Sequence, residues 1–318
     1  MSRVFLLGSG FSVAAGAPLS REVLKKIFAR DSKTFEVAQL ETWLDRHLFH
    51  NRSHGCQQAD FEEVISRLEL FEHYSEPASK DRRLLEAKVN LLLKEFISLL
   101  QPDKLRDKLS CYDSFARKLR PGDLILTFNY DLVVERALER NNLGVDYQLF
   151  LPGSPLDRES TATRFQLRIP VIKLHGSINL VFCTRCYSVR EASAGALLCN
   201  QCRNPDRSLA KESSTLRPFL IAPTLFKSYS LPDLRRIWYT AYNCLSRAQE
   251  LIIIGYSLPA ADILTAQLLD FAHRSCPHPQ KVTVVNGPHP DLTRLQSLYI
   301  QGISNTGLAF ADWANLIP

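Results

Sequence analysis

With 318 residues and 45% hydrophobic content, the chain can bury one large core, or a main domain carrying a substantial insert. Lys plus Arg exceed Asp plus Glu by 39 to 33, and the basic residues are dispersed without a long tract, so a direct nucleic-acid role is not expected. No window reaches the ~18 uninterrupted apolar residues of a membrane helix, and Met1–Leu7 reads as a short strand rather than a targeting segment, which predicts a soluble cytoplasmic protein.

Residues 3–7, RVFLL, form an apolar run cut short by Gly8-Ser9-Gly10, the pattern of a buried parallel strand entering a tight loop. From about Arg21 to Leu119 apolar residues recur at helical spacing, as in Val23, Leu24, Ile27 and Phe28, which predicts four or five helices with breaks at 51–55, 76–79 and 101–103. Beyond Pro121-Gly122 the pattern changes to strand LILTF, helix DLVVERALER, a polar loop from Asn141 to Arg168 and strand VIKL. After a cysteine-rich stretch come strand PFLIA, a helix near 231–245, strand ELIIIG, a helix near 261–273, strand KVTVV and a last helix. Such alternation predicts an α/β fold with a doubly wound parallel sheet, with ligands at the strands' carboxyl ends. The expected organisation is a Rossmann-like domain from 1–20, 120–180 and 216–318, a helical insert at 21–119 and a zinc module at 181–215.

Cys183, Cys186, Cys199 and Cys202 form two CxxC pairs separated by twelve residues. Two such knuckles bring four thiolates to one tetrahedral point, which suits a structural zinc with no open coordination position; two disulfides are the alternative. Cys56, Cys111, Cys244 and Cys276 lack paired spacing and read as reduced thiols.

Several strand ends carry residues able to do chemistry. The loop Gly8-Ser9-Gly10-Phe11-Ser12 to Gly16-Ala17-Pro18 could cradle a phosphate or be a plain strand-to-helix turn. Val13 stands where the third glycine of the dinucleotide fingerprint would fall, and no acid-ended second strand follows, which argues against an ordinary dehydrogenase. In Thr127-Phe128-Asn129-Tyr130-Asp131 the Asn or Asp is a helix cap or a site residue. His175, in Lys173-Leu174-His175-Gly176, is a turn histidine or a general base. Gly255-Tyr256-Ser257 and Val285-Asn286-Gly287 follow further strands and would each alone be turns.

In this order the GxGxS loop with Gly16-Ala17-Pro18, the Thr-x-Asn-x-Asp strand end, His175-Gly176, the four cysteines, Gly255-x-Ser257 and Val285-Asn286 resemble the sirtuin family from Val4 to about Asn286. That resemblance implies NAD as substrate. Gly8, Gly10 and Ser12 would line its phosphates, Ser257 would hold a phosphate or ribose, Asn286 would meet the adenosine ribose, and Asn129, Asp131 and His175 would surround the nicotinamide ribose as catalytic residues. Phe11, Gly16, Thr127 and Gly255 complete the expected NAD-binding set, and the four cysteines would hold Zn2+. The chain departs from sirtuin deacylases at Leu19-Ser20-Arg21, where an Asp-Phe-Arg guard is usual, and at 217–224, where the acyl-peptide strand, typically with Phe-Gly-Glu, is replaced by a segment whose Pro223 lacks the N–H that a paired peptide would use. GSGFSxxxGAP, TFNYD, IAPTxFKS and GYSLP look like the divergent sirtuin-like domains of bacterial anti-phage systems. The implied function is an NAD glycohydrolase, restrained through a homo-oligomer or a partner such as a HerA-type ATPase or an Argonaute-like module. An NAD-dependent lysine deacylase or ADP-ribosyl transferase, and a non-catalytic NAD or ADP-ribose module, are the alternatives.

Overall fold

The computed structural model describes residues 3–29, 34–50, 55–77, 79–148, 167–192, 216–224, 232–260, 262–288, 290–299 and 302–316. The chain divides into two compact units, one of Met1–Ala15, Arg106–Leu220 and Ser228–Pro318, the other of Gly16–Leu105 and Ile221–Lys227.

The first unit opens with β1 (Arg3–Leu7), the short helix α1 (Ser9–Ser12) and a 3-10 turn at Val13–Ala15. The second holds α2 (Ser20–Phe28), α3 (Phe35–Leu48), α4 (Phe61–Tyr74) and α5 (Lys80–Leu99). Polar residues start the last three of these helices, where backbone N–H groups lack intrahelical partners. Thr34 accepts from Val37 N, Asp60 from Glu62 N and Ser79 from Arg82 N. Their buried faces carry Leu24, Ile27, Leu40, Leu44, Val64, Ile65, Leu68 and Leu92. No helix of the described residues is long and apolar enough to cross a membrane.

The chain returns to the first unit with α6 (Ser110–Arg117), β2 (Leu124–Thr127), α7 (Val133–Arg140), β3 (Leu143–Asp146), β4 (Leu167–Lys173), β5 (Gly176–Cys183), β6 (Val189–Glu191) and β7 (Leu216–Leu220). It continues through α8 (Pro232–Leu245), β8 (Glu250–Ile254), α9 (Ile263–Arg274), β9 (Lys281–Val285), α10 (Thr293–Leu298), β10 (Ser304–Asn305) and α11 (Phe310–Leu316). Seven of these strands form one parallel sheet in the order β10-β9-β8-β1-β2-β4-β3. The expected α/β class with a parallel sheet is therefore present. Its central strands are continuous apolar runs because helices cover both faces, and Val4 to Leu7 and Leu251 to Ile254 are buried throughout. On one side Phe11, Tyr112, Phe115 and Phe310 pack ring against ring, with Phe11 4.4 Å from Phe310 and 5.3 Å from Tyr112.

Two segments differ from expectation. The sequence pattern places PFLIA in the parallel sheet, but β7 pairs antiparallel with β5 in a separate three-stranded sheet ordered β6-β5-β7. Its apolar run fits either sheet, and the choice follows from Gly176, whose φ of +83° lets β7 cross so closely that a Cβ there would overlap Phe219 O. The expected loop from 141 begins instead with β3, started by Asn142 in the left-handed region at φ +58°.

Candidate functional site

Leu7, Thr127, Lys173, Ile254 and Val285 lie in one register row across the parallel sheet, since Leu7 pairs with Thr127 and Ile254, Thr127 with Lys173, and Ile254 with Val285. The residues that leave this row, Gly8, Phe128-Asn129, Leu174-His175, Gly255 and Asn286, therefore emerge along one edge. The winding also reverses there, because β2 and β4 lie to one side of β1 and β8 and β9 to the other. In open α/β sheets such a reversal leaves a crevice at the carboxyl ends.

The glycines of this crevice serve a backbone crossing. Gly8 N donates to Ile254 O at 2.9 Å and Gly10 N to Gly255 O at 2.9 Å. A Cβ on Gly8 would come within 2.6 Å of Gly255 O, one on Gly10 within 2.6 Å of Gly255 Cα, and one on Gly255, at φ +64°, within 2.3 Å of Phe11 N. Both glycine amides are thus committed to the neighbouring strand end, and an anion at this loop would have to draw on other donors. The Phe11 ring lies in the aromatic cluster, so only its backbone borders the loop.

Asn129 leans across the crevice. Its Nδ2 donates to Gly8 O at 2.9 Å and to Ser12 Oγ at 3.1 Å, while its backbone N donates to Thr127 Oγ1 at 3.1 Å. Because Gly8 O can only accept, the amide orientation is settled, and Oδ1 makes no hydrogen bond among the described residues. Asp131 is buried, and its Oδ1 accepts from Val133 N two residues on at 3.0 Å, an Asx-type turn just ahead of α7. His175 is buried against Phe128, at a ring distance of 4.9 Å, with Tyr130 and Trp238 farther off. Phe128 also stacks on Tyr256 at 4.6 Å, so the imidazole stands in an aromatic wall built from three strand ends and α8.

The remaining expected residues are less closely gathered. Ser257 is exposed beyond β8 and Asn286 half-buried beyond β9, followed by Gly287 at φ +80°. Gly16, at φ +91°, belongs to the other compact unit, where its carbonyl accepts from Lys26 Nζ at 2.8 Å. Cys183 is buried and Cys186 exposed at the end of β5; Cys199 and Cys202 lie outside the described residues. Among the described residues no group of three or more His, Cys, Asp or Glu is placed to hold a metal ion.

The profile of the SIR2-like domain matches residues 123–303, more than half of the chain and all of the row's strand ends except the first. The chain belongs to the SIR2-like domain family. Among curated proteins none matches this SIR2-like chain in sequence. It is similar to a solved structure described as the structural basis of sirtuin substrate affinity, at 17% identity over 99% of this chain and 92% of that one, with a TM-score of 0.48. It is also similar to Sir2 in complex with the inhibitor EX-527, 2'-O-acetyl-ADP-ribose and a deacetylated p53 peptide, at 18% identity, 99% and 91% coverage and a TM-score of 0.48. A Sir2–p53 peptide–NAD+ structure matches at 17% identity, 99% and 90% coverage and a TM-score of 0.47.

Sequence reasoning missed three supports of the SIR2-like site. Trp238 Nε1 donates to Leu174 O at 3.0 Å, and Tyr256 Oη donates to Asp262 Oδ2 at 2.7 Å. Tyr112 Oη donates to Phe11 O and accepts from Ala15 N, each at 2.9 Å, so one buried hydroxyl joins both ends of the loop's helical turn. A lone Tyr on an amphipathic helix carries no sequence signal for that role. Tyr112→Phe keeps the ring packing and strands two buried backbone groups, so it should lower stability by about 1–3 kcal/mol, measured by urea denaturation.

Proposed function

We propose that the chain is a cytoplasmic NAD glycohydrolase that cleaves NAD to nicotinamide and ADP-ribose. The single observation that carries this reading is Asn129. It is anchored by both amide hydrogens to the glycine loop at the sheet's reversal, with Oδ1 left for a substrate hydroxyl or a water, one strand away from His175. Membership of the SIR2-like family supports NAD as the substrate.

Nicotinamide departs as a neutral molecule and leaves an oxocarbenium-like ribose, so no strong acid is required. What is required is a held geometry, exclusion of stray water and one positioned nucleophile. Asn129 orients the attacking water and His175 takes up a proton from it or from a ribose hydroxyl. Asp131 acts from the same turn. Ser12, Thr127, Gly255, Ser257 and Asn286 border the substrate, with Gly8, Gly10 and Phe11 shaping the loop backbone beside it.

Water as acceptor is favoured by the departures at Leu19-Ser20-Arg21 and by Pro223, which has no N–H to offer a substrate strand. One observation favours the deacylase reading instead. β7 is an edge of the small sheet, and edge strands accept extended peptides. Free ADP-ribose measured with and without an acylated peptide decides between them, since turnover that requires peptide would overturn the hydrolase.

We further propose that 181–215 is a zinc module, beside a Rossmann-like domain of 1–20, 120–180 and 216–318 and a helical insert at 21–119. The described half of the cysteine set fits a metal. Arg185 N and Cys186 N donate to Cys183 Sγ at 3.4 and 3.5 Å, the backbone turn of a metal knuckle, and Tyr187 turns the chain back at φ +58°. Zinc held by Cys183, Cys186, Cys199 and Cys202 supplies folding free energy and no reaction chemistry. Elemental analysis should find about one zinc per chain, and Cys183→Ser should lose it together with thermal stability before it affects NAD turnover per folded molecule.

An enzyme that consumes NAD is toxic unless restrained. The biological reading is accordingly anti-phage defence by NAD depletion, with control by self-assembly or by a partner such as a HerA-type ATPase.

A further inference from the structure

The turn that carries Asn129 is stitched to the strand end that carries His175. Leu174 N donates to Thr127 O at 2.9 Å, and Ile178 N and Ser177 Oγ donate to Tyr130 O at 3.0 and 3.2 Å. The last stitch is charged. Lys173 Nζ donates to Asp131 O at 2.6 Å and pairs with Glu135 Oε1 at 2.8 Å, with both side chains buried. Lys173 stands two residues before His175, and Asp131 two residues after Asn129.

A buried ion pair is weak grounds for stability, because desolvation offsets most of the attraction, and an apolar pair of similar volume often does as well. The pair here has a geometric property such a replacement would lack: the ammonium also holds a main-chain carbonyl of the site turn. We propose that Lys173 is a positioning residue, which sets the distance between Asn129 and His175 by holding the Asp131 carbonyl, with Glu135 present to neutralise it. This rests on the proposed reaction for its activity readout.

Three variants separate positioning from neutralisation. Lys173→Met leaves Glu135 buried without its cation and should lower both stability and turnover. Glu135→Gln keeps an acceptor for the ammonium and should keep kcat within about two-fold. The double variant Lys173→Met/Glu135→Leu removes both charges and should melt near the wild type. Its kcat should nevertheless stay about 100-fold down, the effect of misplacing a reacting group by about 1 Å, with KM little changed. Hydrogen exchange at amides 128–132 should be faster in the double variant, while that of the β1 and β8 amides is unchanged. A double variant with wild-type kcat and wild-type exchange at 128–132 would overturn the proposal. Should the wild type release no nicotinamide, the proposed reaction fails, and the exchange measurement still decides the role of Lys173.

Discussion

Asn129→Ala should leave a folded protein that releases nicotinamide at least about 100-fold more slowly. Two effects compete in this variant, and their sizes tell them apart. The amide gives up hydrogen bonds to Gly8 O and Ser12 Oγ, each buried. At about 0.5–1.5 kcal/mol net per bond, the loss is about 1–3 kcal/mol, against a total stability of about 5–15 kcal/mol. The variant therefore stays folded, and the stability effect alone scarcely changes the concentration of active molecules. A 100-fold fall needs about 2.7 kcal/mol of lost transition-state stabilisation, which is the size expected when the group that aligns a reacting water is removed. His175→Ala should act in the same direction, because it removes the proton acceptor. Steady-state kinetics normalised to the folded fraction, with circular dichroism beside them, check both. Near wild-type turnover in Asn129→Ala would remove Asn129 from the chemistry.

Gly255→Ala should be strongly destabilising, because the methyl has no room at the crossing of the β1 and β8 strand ends. The new Cβ would lie 2.3 Å from Phe11 N and 2.4 Å from Gly10 C, both main-chain atoms that no rotamer change can move aside. The residue also sits at φ +64°, where an L side chain adds about 1–2 kcal/mol of strain. Overpacking against backbone adds about 1–3 kcal/mol. The sum, about 2–5 kcal/mol, corresponds in a chain of this size to a melting point lower by roughly 5–20 °C. Gly302→Ala is the control: its φ is +87° with nothing within 4 Å of the added methyl, so it carries backbone strain without the clash. Differential scanning fluorimetry of the two variants separates crossing from conformation, and equal shifts would show that the crossing adds nothing.

Strand ends were the most legible part of this chain. RVFLL, LILT, LIII and VTVV are buried on both faces, so their continuous apolar runs mark the sheet without help from distant residues. What the runs could not reveal was which sheet each strand joins. LRPFL pairs with β5 because Gly176 lets the two backbones meet, and that contact spans a stretch of sequence with no local mark of it. The same limit applied to the glycine loop. Gly8 and Gly10 look like an anion cradle when read in order, but their missing side chains make room for Gly255, far along the chain. Lys173 was hidden for a related reason: within VIKL it reads as a strand residue, and the acid that permits its burial lies on the preceding helix. Asn129 and Asp131 were both legible as polar residues closing a strand, yet only the folded chain distinguishes the one whose carboxylate folds back on its own turn from the one turned into the crevice.

A glycohydrolase must pass the ribose to water and to no other acceptor. The most direct measurement is the ratio of nicotinamide to free ADP-ribose released from NAD by the purified full chain, across a range of protein concentrations and without peptide or any other acceptor. Equal amounts of the two products, lost together in Asn129→Ala, are the predicted result. Nicotinamide released only when an acylated peptide is added, with the ribose recovered on the acyl group, would contradict it.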